Sequence, residues 1–158
     1  AHVCDDVCVF DAADGAPRVN PMPKDLKLWR DAAEALGYAR GPRVLGDLEK
    51  YYVPLPTPAA DGPFEMAALY LLSDAGAAPA IARVQGGARL RDLLASIYRS
   101  EWLNLIRPPA EVFVQVAALA RRLKIFRFSR PRTMARFEEG LALLEAHMAE
   151  VAEGGEGS

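Results

Sequence analysis

Two adjacent carboxylates, Asp5 and Asp6, interrupt the apolar run Val3-Cys4-Asp5-Asp6-Val7-Cys8-Val9-Phe10, and that interruption constrains the fold more than any other feature of the chain. The rest of the run has the composition of a buried strand. An ionised Asp inside such a strand needs a cation, a metal ion or a substrate proton to compensate it. Successive strand residues point to opposite faces, so a strand over residues 3–10 would send Asp5 and Asp6 to different sides. The competing reading is a strand end at a sheet edge, where both carboxylates meet water. Cys4 and Cys8, four apart, are predicted to share one face and to pack as small apolar groups, a usage that suits a reducing cytoplasm.

With 51% hydrophobic and 25% charged residues among 158, the chain can build one core. A single domain is predicted over 1–151, with 152–158 a flexible tail. The net charge of −2 gives no reason to expect nucleic acid or an anionic membrane as partner. No apolar run approaches the roughly 20 residues of a membrane span, and no signal sequence opens the chain, so a cytoplasmic location is expected.

Asp14-Gly15 followed by Pro17 predicts a hairpin that resumes at Arg18-Val19. Part of Lys24 to Leu36 is predicted to be a short helix closed by Gly37, with Leu28, Ala32, Ala35 and Leu36 inward. Tyr38 to Pro63 is rich in proline and glycine and reads as a loop with one short strand in Leu48–Pro56. Phe64–Leu72 is predicted to be a central strand and Ala80–Val84 its hairpin-like partner. Helices are predicted over Ala88–Leu103, Ala110–Leu123 and Thr133–Val151, and a half-buried strand over Ile125–Ser129. The fold class is therefore α/β or α+β, a mixed sheet with helices packed on it.

Several chemistries are excluded by the motifs. His2 and His147 are too few and too remote in sequence to nominate a zinc site, and each reads as a terminal or helix-surface residue. There is no Gly-x-Ser-x-Gly elbow, no Gly-x-Gly-x-x-Gly and no G-x-x-x-x-G-K-[ST] loop. What remains is Asp5, Asp6, Glu49 and Lys50 with the cations Lys27, Arg30, Arg99, Arg107, Arg130 and Arg132. Phosphoryl transfer uses such a set: a carboxylate to take the nucleophile's proton, another to hold Mg²⁺, and cations to neutralise the transferring group. The plain alternative is that these arginines are solvated or paired locally.

Cys4-Asp5-Asp6-Val7-Cys8-Val9, Leu26-Lys27-Leu28-Trp29, Glu49-Lys50-Tyr51 with Pro54-Leu55-Pro56, Leu69-Tyr70-Leu71-Leu72, Arg107-Pro108 ahead of Val114–Leu119, and Phe126-Arg127-Phe128-Ser129-Arg130-Pro131-Arg132 together resemble the C-terminal portion of HPr kinase/phosphorylase-like proteins. The likeness is greatest to small bacterial relatives in peptide-maturation clusters, including lasso-peptide kinases. It spans most of residues 1–150. The resemblance implies a P-loop fold of the HPr kinase and phosphoenolpyruvate carboxykinase type, a Mg·ATP cofactor and a serine acceptor on a peptide or small protein. It makes Asp5 the catalytic base, Asp6 and Glu49 metal-associated carboxylates and Arg107 a cation near the transferring phosphate, and it leaves Lys27, Arg130 and Arg132 to the nucleotide.

The family's phosphate loop precedes the Asp-Asp segment and is missing from this sequence. The chain is then expected to be the C-terminal piece of a longer kinase, with an unpaired sheet edge near Val3. Otherwise it is a non-catalytic module holding a peptide near Tyr51 and Tyr52 or near Trp102. The family's hexamers imply a homo-oligomer.

Overall fold

Strand pairing, rather than helical periodicity, organises the first third of the chain. The computed structural model describes residues 3–11, 15–22, 25–54 and 62–154. These divide into two compact units: the described residues of Ala1–Asp11 with Arg18–Phe64, and those of Ala12–Pro17 with Glu65–Ser158. Strands and helices occur in both, so the protein is mixed α/β.

In the first unit, the expected strand over residues 3–10 shrinks to β1 (Val9–Asp11), which is exposed, and the chain bends at Asp5–Asp6. Two neighbouring carboxylates cost more to bury on a sheet than the flanking valines and cysteines return, and the bend lets both reach one cation. β2 (Arg18–Asn20) pairs antiparallel with β1, setting Phe10 opposite Val19 and Asp11 opposite Arg18. The Met22 amide donates to the Val3 carbonyl at 2.8 Å, tying down the start of the bend. The predicted hairpin is present, although its turn at 12–14 lies outside the described residues.

Part of Lys24–Leu36 is helical, as expected, and residues 26–29 ahead of that part form a strand. β3 (Leu26–Trp29) pairs antiparallel with β4 (Lys50–Val53), the strand expected in the proline-rich loop, in the register Leu26 to Val53 and Lys27 to Tyr52. Helical spacing was present, but Leu26-Lys27-Leu28 also alternates, and a distant partner decided between the two periods. Only α1 (Arg30–Ala35) is helical. It buries Ala33 completely, and Val53 of β4 is buried as well. Gly37, at φ 71°, ends it as expected, and the Tyr38 amide returns to the Ala33 carbonyl at 2.9 Å. Residues 41–44 run along β4: Gly41 N–H donates to Tyr52 O at 2.9 Å and Tyr52 N–H to Pro42 O at 3.0 Å. Of the prolines that continue this loop, Pro56 and Pro58 lie outside the described residues.

After the two-residue β5 (Phe64–Glu65), the second unit is built on β8 (Lys124–Ser129). β8 lies between β6 (Ala68–Ser73), which runs parallel to it, and β7 (Ala80–Arg83), which runs antiparallel. This corrects two expectations. The central strand is β8 rather than the segment at 64–72, and β6 and β7 are not hairpin partners but flank β8. Ile125, Phe126 and Phe128 are all buried, so β8 is covered on both faces as a central parallel strand must be.

On one face, Leu69, Leu71 and Ile125 meet Leu93 of α2 (Gly87–Ala95) and Val116 and Leu119 of α4 (Pro109–Arg122), with Val84 and Leu123 completing the core. On the other, Tyr70 stacks on Phe126 at 5.3 Å, and His147 of α5 (Phe137–Glu153) stands edge-on to both rings. His147 is thus not a surface residue. Its Nδ1 lies 2.7 Å from the Tyr70 hydroxyl, and burial, with Glu150 adding repulsion, raises that hydroxyl's pKa.

The helix predicted over Ala88–Leu103 is broken into α2 and α3 (Ser100–Ile106). Ser96 Oγ donates to the Asp92 carbonyl at 2.8 Å, and Arg99 enters the left-handed region at φ 49° with its guanidinium over the Tyr98 and Trp102 rings. Among the described residues no helix is long and apolar enough to cross a membrane. The tail residues 155–158 lie outside the described set.

Candidate functional site

Lys27 is the hub of the first unit's polar cluster. β3 sends its side chain towards the Asp5–Asp6 bend, where Nζ donates to Asp6 Oδ2 at 2.6 Å and stands 3.3 Å from Asp5 Oδ2. Lys50, which opens β4 opposite Trp29, brings a second ammonium to 3.9 Å from Asp6 Oδ1. The two carboxylates are inequivalent. Asp5 and Lys27 keep only 14% and 15% of their side chains exposed, whereas Asp6 keeps 51%. Asp5 Oδ2 is turned away from water and, among the described residues, has the Lys27 charge nearby but no aligned hydrogen-bond donor. A carboxylate held this way has its accepting capacity incompletely used.

The hydrogen bond to Asp6 raises the Lys27 pKa above its ordinary value; partial desolvation opposes it and the nearness of Asp5 adds to it. At neutral pH the cluster therefore holds a firmly protonated ammonium. Cys4 and Cys8 bracket the bend with their sulfurs 2.7 Å apart. Burial first, and then the Cys4 sulfur, pushes the Cys8 thiol up to about 12.

Glu49 does not join this group as a ligand. It pairs with Arg30, Nη1 to Oε1 at 2.9 Å, while its carbonyl takes the Arg30 amide at 2.8 Å. Nearby, Arg40 and Arg43 lie over the Tyr51 ring at 5.5 and 5.9 Å. Arg107, Arg130 and Arg132 belong to the second unit. Arg107 ends α3 with its amide on Leu103 O, the Arg130 amide extends the sheet by donating to Ser73 O at 2.9 Å, and the exposed Arg132 stands 3.9 Å from Asp74.

The structure thus brings together Asp5, Asp6 and Lys27 of the expected set, and places Glu49 on Arg30. Lys50 was visible beside Glu49 in sequence, but only the β3–β4 register reveals that it reaches Asp6. Among the described residues no three His, Cys, Asp or Glu side chains form a metal-binding group. Mg²⁺ in nucleotide sites takes only one or two protein carboxylates, with phosphate and water completing the shell. Asp6, half exposed beside Asp5, has Lys27 on Oδ2 and Lys50 near Oδ1. No protein-family model, curated protein or solved structure matches the chain.

Proposed function

We propose that this chain carries the proton-accepting part of an HPr kinase-like serine kinase, transferring a phosphoryl group to a Ser on a peptide or small protein. The observation that carries the reading is Asp5: a largely enclosed carboxylate 3.3 Å from the Lys27 ammonium and flanked by a second, exposed carboxylate. Asp5 accepts the proton of the serine hydroxyl as its oxygen attacks. Lys27 holds Asp5 in place and offsets the negative charge gathering at the site, and Lys50 does the same for Asp6. Mg·ATP would supply the transferable phosphoryl group, and the half-exposed Asp6 is the carboxylate that would meet the metal. The phosphate grip normally given by loop amides has no such loop in this sequence to supply it.

The test is Asp5→Asn in the protein with its native flanking sequence, assayed for phosphate transfer from ATP to seryl peptides. General-base loss costs about 10²- to 10⁴-fold, so transfer should fall by at least about a hundredfold with the circular-dichroism spectrum unchanged. Equal transfer by the variant refutes the role.

A second reading, a non-catalytic peptide-binding module, is favoured by the missing phosphate loop together with the exposed Trp102, Leu105 and Ile106 on α3. It requires that Mg²⁺-dependent ATP binding be absent, which calorimetry on the same protein decides.

A further inference from the structure

Neither Cys4 nor Cys8 has a part in phosphate transfer, yet the bend that presents Asp5 and Asp6 also closes their two thiols onto each other. Both are free, Cys8 is exposed and Cys4 is half-buried. Their sulfurs are 2.7 Å apart, within about 0.7 Å of a disulfide bond length. Small apolar packing, the role suggested by the spacing, does not account for an exposed thiol pressed against a second thiol. Soft-metal capture is not favoured either, since among the described residues no third thiol, imidazole or carboxylate completes a metal-binding group with them.

We propose that Cys4 and Cys8 form a reversible thiol–disulfide site whose oxidant is a low-molecular-weight disulfide such as oxidised glutathione. One thiol loses its proton and attacks a sulfur of the oxidant, breaking that S–S bond, forming a mixed disulfide and releasing one small thiol. The second cysteine, already at contact distance, then loses its proton and attacks the protein-side sulfur of the mixed disulfide. The Cys4–Cys8 bond forms and the second small thiol leaves. The protein loses two electrons and two protons, and the oxidant gains both. Only one cysteine has to ionise at each step, and the preformed contact makes the second step intramolecular. The closed ring contains only Asp5, Asp6 and Val7 between the cysteines, so oxidation clamps the bend that sets the carboxylates' positions.

The experiment equilibrates the whole protein in a series of reduced and oxidised glutathione mixtures, quenches with acid, alkylates with iodoacetamide after denaturation, and reads intact mass and peptide map. The expected result is a monomer that loses the mass of two hydrogens and both alkylation sites as the buffer becomes oxidising, and recovers both on return. In Cys8→Ser the same oxidising buffers should leave a stable glutathione adduct on Cys4, because the resolving thiol is gone. Three results overturn the proposal: persistent glutathione adducts on the wild-type protein, a disulfide-linked dimer in place of the internal bridge, or two alkylatable cysteines across the whole series.

Discussion

Replacing Gly41 by alanine puts a methyl group where the structure has no room for one, and a parallel replacement at Gly140 shows that the effect is local geometry rather than loss of glycine. A Cβ on Gly41 would stand 2.7 Å from the Tyr52 carbonyl oxygen and 3.5 Å from its carbon. The obstacle is strand backbone, held in register opposite Lys27 and fixed by the pair Gly41 N–H to Tyr52 O at 2.9 Å and Tyr52 N–H to Pro42 O at 3.0 Å. Relief of the clash has to open that pair. At about 1 kcal/mol for each net hydrogen bond, the expected loss is about 2 kcal/mol. With a urea slope of about 2 kcal/mol/M, the midpoint falls by about 1 M. At Gly140 the added Cβ meets the tip of the Phe128 ring at 3.5 Å and Pro79 at 3.7 and 3.9 Å, ordinary contacts. Removing a glycine from inside α5 should there stabilise by about 0.5–1 kcal/mol. Urea melts of the two variants, read by circular dichroism, with hydrogen exchange at the Tyr52 amide, give opposite signs if the reasoning holds. A Gly41→Ala midpoint at or above wild type, or a Gly140→Ala loss as large as that of Gly41→Ala, refutes it.

Ile125→Ala, at 1% exposure in the centre of β8, should cost about 3 kcal/mol in a denaturant melt, within the range for aliphatic truncation in a core, while Leu72→Ala on the same sheet, exposed at 65%, should stay within about 0.5 kcal/mol; equal losses would contradict the assignment of β8 as the central strand. Lys27 binds its proton more tightly when folded than its ordinary 10.5, so its stabilisation is present in full below that value and is lost as pH rises through the higher folded value. Lys27→Met should therefore unfold below wild type by a steady gap from neutral to mildly alkaline pH, with the gap narrowing only beyond 10.5, measured as melting temperature against pH; a gap that does not narrow as pH is carried above 10.5 would mean that the raised proton affinity of Lys27 contributes nothing. The same variant should depress phosphate transfer in the assay used for Asp5→Asn, since Asp5 would lose the charge that holds it.

How much of this was legible in the sequence depends on the range of the deciding interaction. α4, α5 and β8 carry their own stripes, and local periodicity found them. β3 did not announce itself: Leu28, Ala32 and Ala35 satisfy a helix as well as Leu26 and Leu28 satisfy a strand, and β4, more than twenty residues later, chose. The parallel pairing of β6 with β8 spans α2, α3 and α4, a separation at which hydrophobic pattern carries no information about partners. The break between α2 and α3 has neither proline nor glycine to mark it; Arg99 takes a positive φ that its stacking on Tyr98 and Trp102 accompanies. The bend at Asp5–Asp6 was legible as a problem, two charges in an apolar run, but not as its solution.

That solution is a matter of register. Lys27 meets the carboxylates because it sits at an odd position between Leu26 and Leu28, and β3 is held there by its pairing with β4, Lys27 opposite Tyr52. A slip of one residue would turn Lys27 to the opposite face of the ladder and bring a leucine towards Asp5. The pair Trp29–Lys50, two rungs further along, fixes the second ammonium by the same ladder. Changes along β4 that touch no carboxylate should thus act on the site through the position of Lys27, and the Gly41 approach to Tyr52 is the point at which a single added methyl group tests it.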